Sequence, residues 1–236
     1  MQDVGQEGRT VLFVSHNMPA VTRMCERAIL LQNGELVRDG AAADVVSEYL
    51  NTGLGLSNIQ EWPDLAKAPG DDVTRLRAVR VKNTKGQIPD SIDIRHPVGL
   101  EMEFDVLESG HVLMPYYDVI NDENVKVFSA VDQDPEWRNR SRPAGRYIST
   151  AWIPENLLSE GTLYISALMR TQTGKKPRFK QRDAIVFHVV DTIDGDSARG
   201  DWVGRMRGAV RPMLNWETEF VPENSAHKTA AKVGSL

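Results

Sequence analysis

From Val73 onward apolar and polar residues alternate along the chain. The clearest run sets Val98, Leu100, Met102, Phe104 and Val106 at every second position, with Gly99, Glu101, Glu103 and Asp105 between them. That period gives a strand with one buried and one wet face. Similar short runs cover residues 112–120, 125–131, 146–153, 162–170 and 184–190, divided by turn-forming stretches such as Asn121-Asp122-Glu123-Asn124 and Ser159-Glu160-Gly161. Strands at this spacing predict a sandwich or barrel. Across residues 75–82 the apolar set slips by one position, from Leu76 and Ala78 to Val79 and Val81. A β-bulge near Ala78 would absorb the slip.

The first fifty residues follow a different rule. Val11, Leu12, Phe13 and Val14 form a continuous apolar run, as in a strand covered on both faces in a parallel sheet. The pattern predicts a strand over 10–15, a helix over 19–27, strands over 28–32 and 35–38 joined by the hairpin turn Asn33-Gly34, and a helix over 42–49. Residues 51–72 lose periodicity and gather Gly, Pro, Asn and Asp, which predicts a linker. The sandwich domain is then expected over 73–219. Its closing stretch, 195–216, carries Gly200, Gly204 and Gly208 with Trp202 and Trp216 and is expected to end the sheet in irregular strand structure. Residues 220–236 read as a flexible tail.

Composition narrows the function classes. The chain has 236 residues, 41% hydrophobic and 26% charged, with a net charge of -5. It is long enough for one or two domains with a packed core, and its acidic balance gives no reason to expect nucleic acid as a partner. No apolar run is long enough to cross a bilayer, so a cytoplasmic location is expected. Cys25 is the single cysteine, which excludes an internal disulfide or a Cys-x-x-Cys pair; its place in the expected helix suggests packing.

The stretch GRTVLFVSHNMPAVTRMCERAILLQNGELVRDGAAADVVSEYL resembles the last segment of an ABC-transporter ATPase domain. It shows that family's final core strand, Ser-His-Asn switch, helix, hairpin and closing helix. By this resemblance His16 is the switch-loop histidine, a catalytic position that contacts the ATP γ-phosphate and helps place the attacking water. The resemblance also implies ATP and magnesium as cofactors of a longer parent protein, and a chain that begins partway through its ATPase domain. No Gly-x-x-x-x-Gly-Lys-Ser/Thr loop occurs; the nearest stretch, Gly174-Lys175-Lys176, lacks the upstream glycine and the hydroxyl residue. One histidine cannot replace a phosphate loop and a held magnesium, so this chain alone is expected to bind no nucleotide cofactor and not to hydrolyse ATP.

The β half contains YISTAWIPENLLSEGTLYISALM and AIVFHVVDTIDGDSARGDWVGRMRGAVRPMLNW. These resemble the ATPase subunits of bacterial O-antigen and polysaccharide exporters of the Wzt type. The resemblance implies a mainly β chain: an immunoglobulin-like antiparallel β-sandwich of about eight strands, preceded by a short α/β fragment of an ABC ATPase domain. It implies recognition of the exported glycan by that sandwich, a transmembrane permease as partner, peripheral attachment at the inner face of the inner membrane, and a homodimer whose terminal strands are exchanged between subunits.

Sugars offer apolar C–H faces and many hydroxyls, so their sites join aromatic platforms to planar, multi-donor side chains. The loop over 132–146, DQDPEWRNRSRPAGR, supplies Trp137, Arg138, Arg140 and Arg142. Two readings stay open there. The loop is a carbohydrate site, or Trp137 covers the end of the sandwich while the arginines pair with Asp132, Asp134 and Glu136. Tyr116 and Tyr117 are adjacent, so on a strand only one faces outward, and that one is a second sugar candidate. Trp152, Tyr164, Trp202 and Trp216 read as core or dimer anchors. Glu101, Glu103 and Asp105 read as a solvated face rather than a metal site, and His96, His111 and His188 lack metal spacing. Three functions therefore compete: glycan recognition, a dimerisation or docking module without sugar, and an enzyme, the last disfavoured by the missing phosphate loop and triad.

Overall fold

A computed structural model describes residues 12–14, 21–22, 24–32, 34–53, 58–89, 91–172, 174, 176–191, 196–204 and 206–221. Its regular elements are β1 (Arg27–Gln32), β2 (Glu35–Ala41), α1 (Ala42–Gly53), β3 (Ile59–Glu61), β4 (Thr74–Lys82), β5 (Ile92–Asp93), β6 (Val98–Val106), β7 (Leu113–Asn121), β8 (Lys126–Val131), β9 (Gly145–Ile153), β10 (Gly161–Thr171) and β11 (Phe179–Val190).

The alternating half folds into two sheets, one of order β3-β4-β6-β9 and one of order β5-β11-β10-β7-β8. The inward set of β6, Leu100, Met102 and Phe104, is fully buried, as are Leu76, Val79 and Val81 of β4. They meet Val119, Ile165, Ala167, Met169, Ile185 and Val189 of the other sheet in one core. Burying side chains of this size stabilises by about 1.5–3 kcal/mol each, which makes this layer the main support of the fold. The expected bulge is present: the β4–β6 register shifts between Leu76 and Ala78. Arg77 takes up the extra position and turns outward to Asp105, with Nη2 2.6 Å from Oδ2.

The expected sandwich of about eight antiparallel strands is present, with one departure from the antiparallel pattern. It has nine among the described residues, and β5 pairs with β11 in parallel, Ile92 opposite Val189. The additional strand β3 lies inside the aperiodic stretch 51–72 and pairs with β4, Ile59 opposite Arg80. Strands this short carry too few residues to show a period, and they leave only a short open edge at their ends of the two sheets. The long edges, β8 and β9, lie on the other side, joined by the loop 132–144.

The outward face of the four-stranded sheet is less wet than the sequence suggests. Glu101, Glu103 and Asp105 are 14%, 14% and 13% exposed, because cations from the flanking strands lie across them. Arg80 reaches Glu61, Glu101 and Glu103 at 2.8–2.9 Å, and Lys82 reaches Glu101 at 2.6 Å. Cross-strand pairs of opposite charge stabilise a sheet, whereas three bare carboxylates in a row would repel. The guanidinium beside Asp105 holds that carboxyl below the usual range.

In the first unit, β1 and β2 form the expected hairpin, with Gln32 opposite Glu35 and Gly34 at φ +85°, a conformation that favours glycine. Val21, Thr22 and Met24 are helical, but Arg27 already begins β1, so the helix expected over 19–27 stops earlier. Cys25, half-exposed, follows its last turn instead of packing inside it. The strand expected over 10–15 is not formed at Leu12, Phe13 and Val14; Leu12 and Val14 are 86% and 97% exposed. A continuous apolar strand needs neighbours on both sides, and no described strand lies beside these residues.

The closing stretch is held by side chains and by two backbone bonds, from the Arg211 amide to the Leu157 carbonyl at 2.8 Å and from the Met213 amide to the Asn156 carbonyl at 3.2 Å, without forming a strand. Its described residues, 196–204 and 206–221, form no strand, and only Val210 makes a bridge, to Leu158. Arg199 donates to Asp191 at 3.1 Å, to Glu160 at 2.8 Å and to the carbonyls of Trp202 and Gly204. Arg211 bonds the same Asp191, and Arg199 and Asp191 side chains are fully buried. Beyond Arg211 the chain leaves this cluster and exposes Leu214, Trp216, Phe220 and Val221. Trp152, Trp202 and Trp216 are 49%, 61% and 86% exposed, so of the two readings, core or dimer anchor, the core one does not hold for them.

Candidate functional site

The loop 132–144 joins the two long edge strands, and between them lies a groove of about 330 Å³. Pro115, Ala130 and Val131 line one side, Tyr147, Ile148, Ser149, Thr150 and Ala151 the other, and Asp132, Gln133, Asp134 and Trp137 the loop end. Turn chemistry explains the loop's shape. Asp132 Oδ1 accepts from the amide of Asp134, and Asp134 Oδ1 from that of Glu136, at 2.9 and 2.8 Å. The amides of Trp137 and Arg138 then bond the Asp134 carbonyl. Asn139 adopts φ +58°, which Asn tolerates better than most residues.

Arg142 organises the site from beneath. It is 3% exposed. Its guanidinium carbon lies 5.0 Å from the Trp137 ring, 5.2 Å from Tyr147 and 5.7 Å from Phe104. Nη2 donates to Asp132 Oδ2 at 2.8 Å and Nε to the Leu113 carbonyl at 3.3 Å. Ser149 Oγ donates to the same Asp132 oxygen at 3.2 Å. Tyr147 stacks on Phe104 at 5.5 Å and meets Trp137 edge-on at 5.2 Å, while its hydroxyl donates to the Pro143 carbonyl. Each planar group thus fixes the next, and Trp137 is held half-buried at the groove mouth.

The sequence candidates separate accordingly. Trp137, Arg142 and Tyr117 line the groove, but Arg142 does so as the buried partner of Asp132 and not as a free ligand donor. This is the covering-and-pairing reading for that residue. Arg138 and Arg140 are exposed and make no ion pair among the described residues. Tyr117 is the inward tyrosine, 3% exposed, with its hydroxyl donating to the Leu100 carbonyl and burial pushing its pKa up. Tyr117 nevertheless lines the groove, from its buried side and not as an outward platform. Tyr116 faces outward on the opposite side of β7, beneath Arg170, and does not line the groove. Sequence reasoning missed Tyr147, Gln133, Ser149 and Thr150, and named Asp134 only as a partner for the loop's arginines; a loop flanked by two edge strands was the available signal.

Chemically the groove offers aromatic surface, carboxylate and amide acceptors and hydroxyl donors. No group of three His, Cys, Asp or Glu suited to a metal occurs among the described residues. His16 lies outside the described residues. Gly174 sits in the hairpin between β10 and β11, where its amide bonds Thr171 Oγ1 at 3.1 Å. That turn leads into a strand and not into a helix N-terminus, so it does not fit a nucleotide phosphate. No helix among the described residues is long and apolar enough to cross a membrane.

No family model matches the chain. It is 39% identical over 49 residues to the O-antigen export system ATP-binding protein RfbB of Klebsiella pneumoniae, covering 21% of this chain and 20% of that protein. It is 26% identical over 78 residues to the ribose import ATP-binding protein RbsA of Caldanaerobacter subterraneus, 33% of this chain and 16% of that protein. The chain therefore spans a fifth or less of the length of these relatives. Among solved structures, the C-terminal domain of wzt matches with a TM-score of 0.50 at 14% identity, over 68% of this chain and 91% of that domain. The chain is thus similar in sequence, over short stretches, to ATP-binding proteins that include O-antigen export ones, and it shares the fold of the wzt C-terminal domain.

Proposed function

We propose that the sandwich recognises a glycan in the groove beside Trp137 and Tyr147, as the substrate-selecting part of an ATP-binding subunit in O-antigen or polysaccharide export. The supporting observation is the groove itself: aromatic edges held rigid by Arg142, with Gln133, Asp134, Ser149 and Thr150 around them. A pyranose can lay its C–H face on the rings while its hydroxyls bond the polar rim. Trp137 is the platform, with Arg138 and Arg140 beside the mouth as added donors, and Arg142 is a positioning residue. Tyr116 contributes only to a chain that passes around the sheet edge. In the intact parent, ATP and magnesium bind outside this region, His16 serves at the γ-phosphate, and a transmembrane permease partner holds the subunit at the cytoplasmic face of the inner membrane.

Calorimetric titration of the full chain with the source organism's own O-polysaccharide tests recognition. Saturable heat that Trp137→Ala abolishes is expected, and a folded protein that gives no heat overturns the reading. A second role has its own support, since the exposed Leu214, Trp216, Phe220 and Val221 need cover. The chain is a homodimer in which this segment packs on the partner, with terminal strands exchanged. A concentration-independent dimer in sedimentation without glycan binding would make dimerisation or docking the whole function.

A further inference from the structure

We propose that the outer face of the five-stranded sheet carries a second binding site, one that holds a single phosphate-type oxyanion on Arg170. The Arg170 guanidinium carbon lies 5.1 Å over the Tyr116 ring. Its Nε is buried without a hydrogen-bond partner, and no carboxylate pairs with it among the described residues. An arginine presents five donors in a rigid fork suited to phosphate; Nε is shielded from solvent, so an anion would bond the terminal nitrogens of the fork.

Two further cations share this face. Leu168 of β10 pairs with Tyr116 on one side and with Lys180 on the other, which sets Lys180 one strand from Arg170. Lys180 is exposed and has no carboxylate partner among the described residues, though its charge acts on Asp118. Lys126, on β8, feels the charge of Arg170 and bonds Asp118 at 2.7 Å. Asp118 is also occupied by Ser129 Oγ at 2.6 Å. These three cations share the face with Asp118, already engaged, and with Asp183, whose amide bonds Ser166 Oγ on β10 at 3.2 Å and whose charge acts on Tyr164. The cations outnumber the carboxylates, and Arg170 is left without an acceptor, which favours an anion such as a phosphate. The opposite outer face shows the contrast: there Arg77, Arg80, Lys82 and Arg146 each pair with carboxylates. The imbalance is therefore local to Arg170.

Isothermal titration of the full chain with inorganic phosphate tests this site, with circular dichroism to verify folding. Saturable binding is expected, weakened at least about tenfold in Arg170→Gln and several-fold in Lys180→Gln, whose exposed position keeps the fold safe. Arg138→Gln, at the groove, should bind phosphate like the wild type. Absence of saturable binding, or equal affinity in the wild type, Arg170→Gln and Lys180→Gln, overturns the proposal. Glucose 1-phosphate and vesicles of phosphatidylglycerol then separate the sources: Arg170-dependent binding of the first assigns a saccharide-borne phosphate, of the second a lipid headgroup. The groove and its glycan play no part in this readout, so the two proposals fail separately.

Discussion

Replacing Arg142 by Met tests whether the groove is built on a buried cation. Met keeps the length and apolar contact of the side chain but removes the charge and the donors. The Asp132 side chain is 11% exposed, so the change leaves a largely buried carboxylate without its counter-charge, a loss of about 3–5 kcal/mol for a broken buried pair. Asp132 retains Ser149 Oγ and the Asp134 amide, which places the expected cost near the lower limit, about 3 kcal/mol. Three ring contacts at 5.0–5.7 Å disappear as well. At about 2–4 °C per kcal/mol for a domain of this size, the melting temperature should fall by about 6–12 °C. Arg138→Met, on the exposed side of the loop, should stay within about 0.5 kcal/mol. Urea unfolding of both variants, with Asp132→Asn and the double variant to close a cycle, gives the coupling directly. If Arg142→Met and Arg138→Met lose the same stability, or the cycle shows no coupling, Arg142 does not organise the site.

Other variants examine the frame. His188, 3% exposed and bonded only through Nδ1 to Thr162, has its pKa lowered to about 4 by burial. The unfolded chain binds the extra proton first, so this contribution is whole above about pH 6.5 and declines toward pH 4, by about 3 kcal/mol in all. Melting curves across that range should flatten in His188→Leu; an unchanged slope would exclude the histidine as the cause. Below about pH 4 a separate loss is expected as Asp105 and Asp118, both held low by partners, take up protons, visible as a second fall in melting temperature that Asp118→Asn reduces. Gly70→Ala would set a Cβ 2.2 Å from the Thr74 carbonyl oxygen at φ +157°, and should cost more than about 1 kcal/mol in urea unfolding. Gly99→Ala meets only side-chain atoms at 3.1 Å, one of them in the Trp152 ring, so it should shift tryptophan emission with little loss of stability.

Legibility in the sequence followed the range of the interactions. Alternation in Val98–Val106 is a local pattern, and that strand appears with its expected ends. The slip at Ala78 is local too, and the bulge is where it predicts. The lower half of β11 escaped because Lys180, Gln181, Arg182 and Asp183 break the apolar period while still pairing with β10; a ladder needs backbone amides and not apolar side chains. β3 and β5 escaped for want of length. In the first unit, the apolar run at Leu12–Val14 reads as a strand because it carries the composition of one, yet pairing requires neighbours that composition does not supply.

The groove was half legible for a sharper reason. Residue type announced Trp137, but a sequence of arginines in one loop does not say which of them turns inward. Arg142 is the one that can, because its backbone pairs with His111 across the loop, donating to the His111 carbonyl at 3.0 Å. That pairing sets its side chain over Phe104 of β6 and against Tyr147 of β9, residues distant in the chain. Arg138 and Arg140 stand in a turn closed by local hydrogen bonds and have no such anchor. The charge that looked most like a ligand donor is therefore consumed in building the platform, and affinity in the groove should follow the aromatic and acceptor groups that Arg142 holds in place.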